Sequence, residues 1–483
     1  MSNNEDLSVS YDGVDLSEYF SIESVNGRGL MNKELELLEI PFRDGALLTK
    51  KKIKVRPITI NITLDHVDVA LLKVAVEDLN KIFNVSVEKP LIFNDEPNRT
   101  FYAISEGITE TFEWGGVYKA TINFLCPDPY KYSSVPYEQD LINDGNAQVV
   151  TVGGTAPAHP IFTFTVNEPI TFLDVVKEDA YMRIGDPVNL DEIVYQKYTP
   201  LLTDQLTSLI GWGQALFTPD GGAKTGAFET TGQVFRASDY GSGAAWHGPA
   251  LTKSISAPAE DFYVRMYVDM ILKNTREKTR AETYLLDESG NIMGKLAVIF
   301  QVTSGYASVE VNLRNVGRSE FIVNLRNDSR YFGDFHGYIS LEKQGNQYRV
   351  EVGRDTLLYG KFFVYEVRSF GYKDILNEFP QRLAAVGLHA GAHGTSPEPY
   401  RNHIRSVYVR RVNTQNNGIP VIANPGDEII IDHTTKKITI NGEPFTNKDF
   451  GAKFFTLNKG ANALMFGPPN AYDVNVQWRD RYL

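Results

Sequence analysis

A single cysteine in 483 residues leaves no partner for an intrachain disulfide and no cysteine cluster for zinc, as suits a chain made in a reducing cytosol. Positive charge is also short. Lys and Arg number 48 against 60 Asp and Glu, and the net charge of -12 argues against nonspecific binding to nucleic acid. No stretch reaches the ~18 apolar residues of a membrane span, and the N-terminus MSNNEDLSVSYDG lacks the basic patch and apolar run of a secretory leader, so no membrane partner is expected. Nor is there a GxGxxG after a strand, a Walker loop, a GxSxG elbow or an HExxH helix. Nothing therefore points to a bound cofactor, and no local signature marks paired carboxylates for glycoside hydrolysis.

Aromatic residues and glycine are plentiful. The 25 Tyr, 27 Phe and 39 Gly suggest many short strands joined by turns, in a chain too long for one hydrophobic core. KKIKVRPITINITL (51–64) alternates with a change of phase at Pro57, which predicts a strand with a bulge or an edge position there. In DHVDVALLKVAVEDLNKIF (65–83), Leu71, Leu72, Val76, Leu79 and Phe83 recur at helical spacing behind Asp65 or Asp68 as cap. This is the one long helix expected. EKPLIFNDEPNRTFYAISEG reads as a hairpin, and VYKATINFLC as a strand whose inward face ends at Cys126. Pro127, Pro129 and Pro136 then halt regular structure and mark a boundary.

Beyond it, 137–195 carries short strands. Residues 211–250 are rich in Gly, Thr and Ala, and the stretch that follows alternates with hairpins about Asp287–Asn291 and Gln344–Gln347, indicating an antiparallel sandwich of jelly-roll type. At the C-terminus, DEIIIDHTTKKITING and GAKFFTLNKGANALMF read as hairpins, and DVNVQWRDRYL as a strand with Val474, Val476 and Trp478 on one face.

Candidate chemistry is sparse. Cys126 lies on an apolar strand face with no nearby histidine and reads as a core thiol. His389, His393 and His403 are close in sequence but lack ligand spacing, so no metal site is expected. The loop DYGSGAAWHGPA holds Tyr240, Trp246 and His247 among glycines, and Trp212 opens the Gly-rich stretch. An exposed Trp in such a loop is costly unless it binds something, and sugar rings stack on aromatics through their C–H faces, so these four residues are the candidate saccharide contacts. The competing reading of Trp246 is a plug at one end of the sandwich.

The ordered set PITINITL, helix, PLIF hairpin and CPDPYKYS resembles the N-terminal domain of siphophage distal tail proteins. GDEIIIDHTTKKITINGEPF, FFTLNKGANALMF and VQWRDRYL resemble their galectin-like second domain. The resemblance implies a mainly β chain in which residues 1–132 are a tail-tube-like, ring-forming domain with one helix. Residues 133–210 plus 413–483 would be the galectin-like β-sandwich, split by an inserted jelly-roll sandwich at 211–412. It further implies a structural hub without catalysis, located in the virion at the tail tip or baseplate. The hub would be a homo-oligomeric, hexameric ring between the tail tube protein and the tail-tip protein, through which DNA passes without specific binding. The insert would be a carbohydrate-binding module for a host cell-wall saccharide during attachment. A glycan-degrading enzyme, or an insert that only docks another virion protein, are the alternatives.

Overall fold

The strand Arg56–Asp65 shows how the sequence sets the first core. Its alternation buries Ile58, Ile60, Ile62 and Leu64 on one face. The structure, a computed structural model, describes residues 7–188, 192–358, 361–415 and 418–483. Arg56–Asp65 pairs with Val117–Cys126 in unbroken register from Arg56↔Cys126 to Asp65↔Val117, so Pro57 introduces no bulge there. On its other side the strand Ser21–Asn26 stops at Thr59, which leaves Pro57 at an edge, where a missing donor is tolerated. Asp68 is the cap of the helix Val69–Phe83, accepting the Ala70 N–H at 2.8 Å. The helix buries Leu72, Ala75, Leu79 and Phe83 against the sheet, whereas Leu71 faces solvent. Cys126 is fully buried, and desolvation pushes its thiol up to about 12, far from any nucleophile's range.

One element of this region buries almost nothing. The strands Lys33–Glu39 and Ala46–Ile53 pair with each other and, among the described residues, with no further strand. Leu35, Leu37, Leu38, Leu47 and Leu48 stand exposed along this hairpin, and Phe42 at its tip is fully exposed.

The galectin-like part belongs to the same compact unit, Met1–Gly185 with Asn424–Thr439 and Thr446–Leu483. One sheet runs Tyr137–Leu141, Tyr472–Trp478, Ile161–Val166, Glu428–Asp432 and Lys437–Ile440; the other runs Gln148–Val152, Gly460–Gly467, Phe172–Lys177 and Ala180–Gly185. Phe162, Phe164, Phe455, Phe466 and Tyr472 pack between them, Phe162 stacked with Phe164 and the other ring pairs edge-on or tilted. GAKFFTLNKGANALMF is not a hairpin. Only Gly460–Gly467 is a strand, because Asn462 closes the preceding turn by accepting from the Asn458 N–H at 2.7 Å and donating to the Asn458 carbonyl at 2.8 Å. The Phe455 N–H meanwhile donates to His433 Nδ1 at 2.8 Å instead of joining a ladder.

The second unit comprises Asp186–Ala423 and Ile440–Phe445. Its two ends lie side by side, since Ile193–Gln196 pairs in parallel with Gly418–Val421. Two antiparallel sheets then face each other. The first orders Ala227–Thr230, Phe235–Asp239, Arg401–Val412, Phe262–Ile271, Asp334–Gln344, Gln347–Leu358 and Lys361–Lys373; the second orders Gly213–Gln214, Ala250–Ala259, Leu383–His393, Thr279–Asp287, Ile292–Phe300, Ser308–Asn315 and Arg318–Leu325. Phe262, Val264, Met266, Ala281, Leu285, Leu296, Val298, Ile339 and Leu341 fill the space between. The strand Tyr198–Asp204 pairs with Arg401–Val412 and so belongs to this sandwich by its hydrogen bonds. The chain is thus mainly β, with β-sandwich architecture and one α-helix among the described residues.

Candidate functional site

The four residues expected at a saccharide site are not on one open face. Tyr240 is buried in the main core of the sandwich. Trp212 packs against that core, its indole N–H donating to Asp204 at 3.0 Å and its ring 5.8 Å from Phe235. Trp246 and His247 are buried on a short strand, Trp246–Gly248, which pairs with the end of Leu383–His393. The loop is glycine-rich for a geometric reason rather than for mobility. A Cβ at Gly248, where φ is +156°, would sit 2.0 Å from the Ala390 carbonyl oxygen, so only glycine lets the chain lie this close to the sheet.

Under this layer lies a buried charge cluster. The strands Thr279–Asp287 and Ile292–Phe300 are buried on both faces, with core residues on one side and Arg280, Glu282, Tyr284 and Lys295 on the other. Glu282 is held by Arg280 Nε at 3.1 Å, Lys295 at 3.3 Å, His389 Nδ1 at 2.8 Å and the Tyr284 hydroxyl at 3.0 Å. Burial would raise its carboxyl, but Arg280, Lys295 and His389 outweigh that and hold it far below the usual range. His389 is itself pushed down by burial and donates Nδ1–H as a neutral ring. The Arg280 guanidinium carbon lies 4.7 Å from the Trp246 ring centroid, so the indole's face meets a protein cation. His403 belongs to the other sheet, apart from His389 and His393. Among the described residues no group of three or more His, Cys, Asp or Glu could hold a metal ion.

The outer face of the first sheet is of another kind. In FYVRMYVD, Phe262, Val264, Met266 and Val268 face the core, which turns Tyr263, Arg265, Tyr267 and Asp269 outward. The ladder lines up partners across this face, with Tyr263 opposite Arg410 and Glu342, Arg265 opposite Tyr408 and Ser340, Tyr267 opposite Tyr338, and Asp269 opposite His403 and His336. The Arg265 guanidinium carbon lies 4.0 Å from the Tyr338 centroid, 5.3 Å from Tyr263 and 5.7 Å from Tyr267. It also donates to the Tyr267 hydroxyl at 2.9 Å, and Glu443 accepts from both groups. Asp269 sits 2.6 Å from His336 Nδ1 and accepts from Arg401 at 3.0 Å. Burial alone would raise the Asp269 carboxyl, but His336, Arg401 and His403 hold it below its ordinary value. Burial pushes the Tyr263 phenol up to about 12, so it remains a neutral donor.

On this face Tyr267 and Tyr408 are half-buried, and Tyr263 and Tyr338 are buried beneath fixed cations and acceptor carboxylates; half-exposed rings beside such groups are the chemistry that takes a sugar's C–H face and its hydroxyls together. The sequence held the signal in the outward parity of FYVRMYVD, Tyr-Arg-Tyr-Asp opposite an unbroken apolar set, a pattern that a search for loop tryptophans passes over.

Known proteins resemble both ends of the chain. Residues 11–126 match the phage tail protein RIFT-related domain, and residues 402–482 match the siphovirus-type tail component, C-terminal domain. The distal tail protein of Bacillus phage SPP1 is 35% identical over 128 residues, 26% of this chain and 50% of that protein, so the chain spans half the length of this curated relative. The crystal structure of SPP1 Dit aligns over 99% of this chain and 100% of its own at 13% identity and a TM-score of 0.43. The CBM2 module of the evolved Dit of Lactobacillus casei BL23 phage J-1 aligns over 46% and 99% at 14% identity and a TM-score of 0.36. These two likenesses are loose and carry no argument, and the resemblance rests on the matched domains and the sequence relative. With those two domains in that order, one at each end, the chain is similar to the siphophage distal tail proteins.

Proposed function

We propose that this protein is a ring-forming hub of the phage baseplate, joining the tail tube to the tail-tip protein, and that its second unit binds a host cell-surface saccharide during adsorption. The observation that carries the ring is the hairpin Lys33–Glu39/Ala46–Ile53, whose leucines and Phe42 are exposed in a single copy. Apolar surface of this kind on an otherwise well-packed unit calls for a partner, and closed rings of identical chains supply one without a second gene product. A hexamer is the expected copy number, with DNA passing through without base-specific contacts. Native mass measurement of the full chain at micromolar concentration tests this: rings support the reading, and monomer alone, with or without the tail-tip partner, overturns it.

The saccharide role is supported by the outer face around Arg265, where the half-buried Tyr267 and Tyr408 lie among Asp269, His336 and Glu351, with Tyr338 buried beneath Arg265. Ring stacking supplies affinity, and the fixed carboxylates and guanidinium select hydroxyl geometry. Host-cell adhesion by the full chain, compared with a variant altered at Tyr267 and Tyr408, tests the assignment. Equal adhesion by both would overturn it, and release of reducing sugar from host cell walls would point to an enzyme instead.

A further inference from the structure

A cavity of about 250 Å³ opens in the galectin-like sandwich, lined by His159, Lys177, Asp179, His433, Lys436, Phe454, Phe455, Thr456 and Asn458. It exists because the segment before Gly460–Gly467 is not a strand, so Phe454 and Phe455 wrap against His433 at ring separations of 5.5 and 4.3 Å. Both histidines have their tautomers dictated by neighbours that can only donate. The Phe455 N–H donates to His433 Nδ1 at 2.8 Å, which leaves the proton of the neutral ring on Nε2. Arg481 Nη1 donates to His159 Nε2 at 3.1 Å, which leaves the proton of that ring on Nδ1. Both remaining N–H groups are buried and have no hydrogen-bond partner in the protein, and His433 is only 1% exposed. A buried donor without an acceptor costs about 1–3 kcal/mol, and two in one cavity are a built preference for an acceptor. Burial also drives His433 down to about 4 and lowers His159, so both rings stay neutral donors at physiological pH. Charge at the cavity is supplied by Lys177, paired with Asp179, and by Lys436, exposed at its rim.

We propose that this cavity is a binding site for a small oxyanion-bearing ligand, a carboxylate or phosphate group of about monosaccharide size. The two imidazole N–H groups would donate to the oxyanion, Lys436 would supply the matching charge, and Phe454 and Phe455 would flank the carrier. The site belongs to the other compact unit from the sheet face around Arg265, and its existence does not depend on saccharide binding there.

Isothermal titration of the full chain with glucuronate, inorganic phosphate and neutral glucose tests this. Glucuronate or phosphate, or both, are expected to bind, and glucose at least about tenfold more weakly, because a hydrogen bond to a charged group is worth more than a neutral one. The arms distinguish a carboxylate from a phosphate site. His433→Asn keeps an acceptor for the Phe455 N–H while removing the Nε2 donor, and should weaken binding about tenfold or more. Lys436→Ala, at an exposed position, should weaken it several-fold with the unfolding temperature unchanged. No heat from either anion, equal affinity for glucose, or anion binding that both variants leave intact would each overturn the proposal.

Discussion

The guanidinium of Arg265 lies over the ring of Tyr338, with its carbon 4.0 Å from the centroid, and both side chains project from the outer face of the same sheet. The pair is central to the proposed saccharide face because Arg265 also reaches Tyr263, Tyr267 and Glu443. Arg265→Lys keeps the charge but loses the planar stack and the fork of donors. The expected cost is about 1–2 kcal/mol of stability in this unit, together with a several-fold loss of host-cell adhesion. Calorimetry and a binding assay on the full chain check both, and a variant indistinguishable from the parent in either measurement would refute the role given to this residue.

Gly353 provides a subtler test of the same face. A Cβ there would stand 2.2 Å from Tyr338 Cε1, so the glycine is what lets the tyrosine ring lie flat across the neighbouring strand. Gly353→Ala should displace Tyr338, weaken adhesion and leave the first compact unit, Met1–Gly185 with Asn424–Thr439 and Thr446–Leu483, untouched. Adhesion at parental strength would show that the position of Tyr338 is immaterial.

The hairpin yields a prediction about assembly. Leu37 and Leu48 are cross-strand partners and more than half exposed at 61% and 57%. Replacing both with Asp changes no buried contact within the chain, so unfolding temperature should stay within about 1–2 °C, given how little surface substitutions usually alter stability. Oligomers should give way to monomers in native mass spectra. Persistence of the oligomer would assign the interface elsewhere.

How much of this was legible beforehand follows from which signals are local. Period and turn chemistry are local, so the helix behind Asp68, the strand ending at Cys126 and the hairpins at Asp287–Asn291 and Gln344–Gln347 could be read directly. The loss of the Phe454–Phe455 strand could not, because it depends on His433, distant in sequence, accepting from the Phe455 N–H. The loop around Trp246 misled for a related reason. Its glycines look like flexibility, yet they serve close approach to Ala390, and the indole's partner, Arg280, is distant in sequence. Outward tyrosines on a strand, by contrast, carry a periodic signal that parity alone separates from the core.

The buried cluster under Trp246 should behave as a unit. Glu282 and His389 are fully buried, and Arg280 and Lys295 nearly so. Glu282→Gln leaves two buried cations without their central counter-charge, a change expected to cost about 3–5 kcal/mol. Amide hydrogen exchange along Thr279–Asp287 and Ile292–Phe300 should accelerate accordingly. Unchanged protection would mean that Asp220, which also pairs with Lys295 and Arg314, suffices alone.

Acid should loosen the galectin-like sandwich through His433. Its folded value of about 4 lies below the 6.5 of an unperturbed ring, chiefly because burial disfavours the charged form, with Asp432 opposing and His159 adding to the effect. Above pH 6.5 both folded and unfolded chains hold the ring neutral, and its stabilisation is fully present. As pH falls from 6.5 toward 4, the unfolded chain takes up a proton that the folded chain refuses, so stability declines by up to about 3 kcal/mol over that window. Below about pH 4 the folded ring also protonates, and this contribution levels off. His433→Asn carries no such titration and should flatten the slope between pH 4 and 6.5, read as hydrogen exchange in Glu428–Asp432 and Gly460–Gly467. If parent and variant share one slope, the acid sensitivity of this sandwich lies with other groups and the neutral state of His433 is not what folding selects.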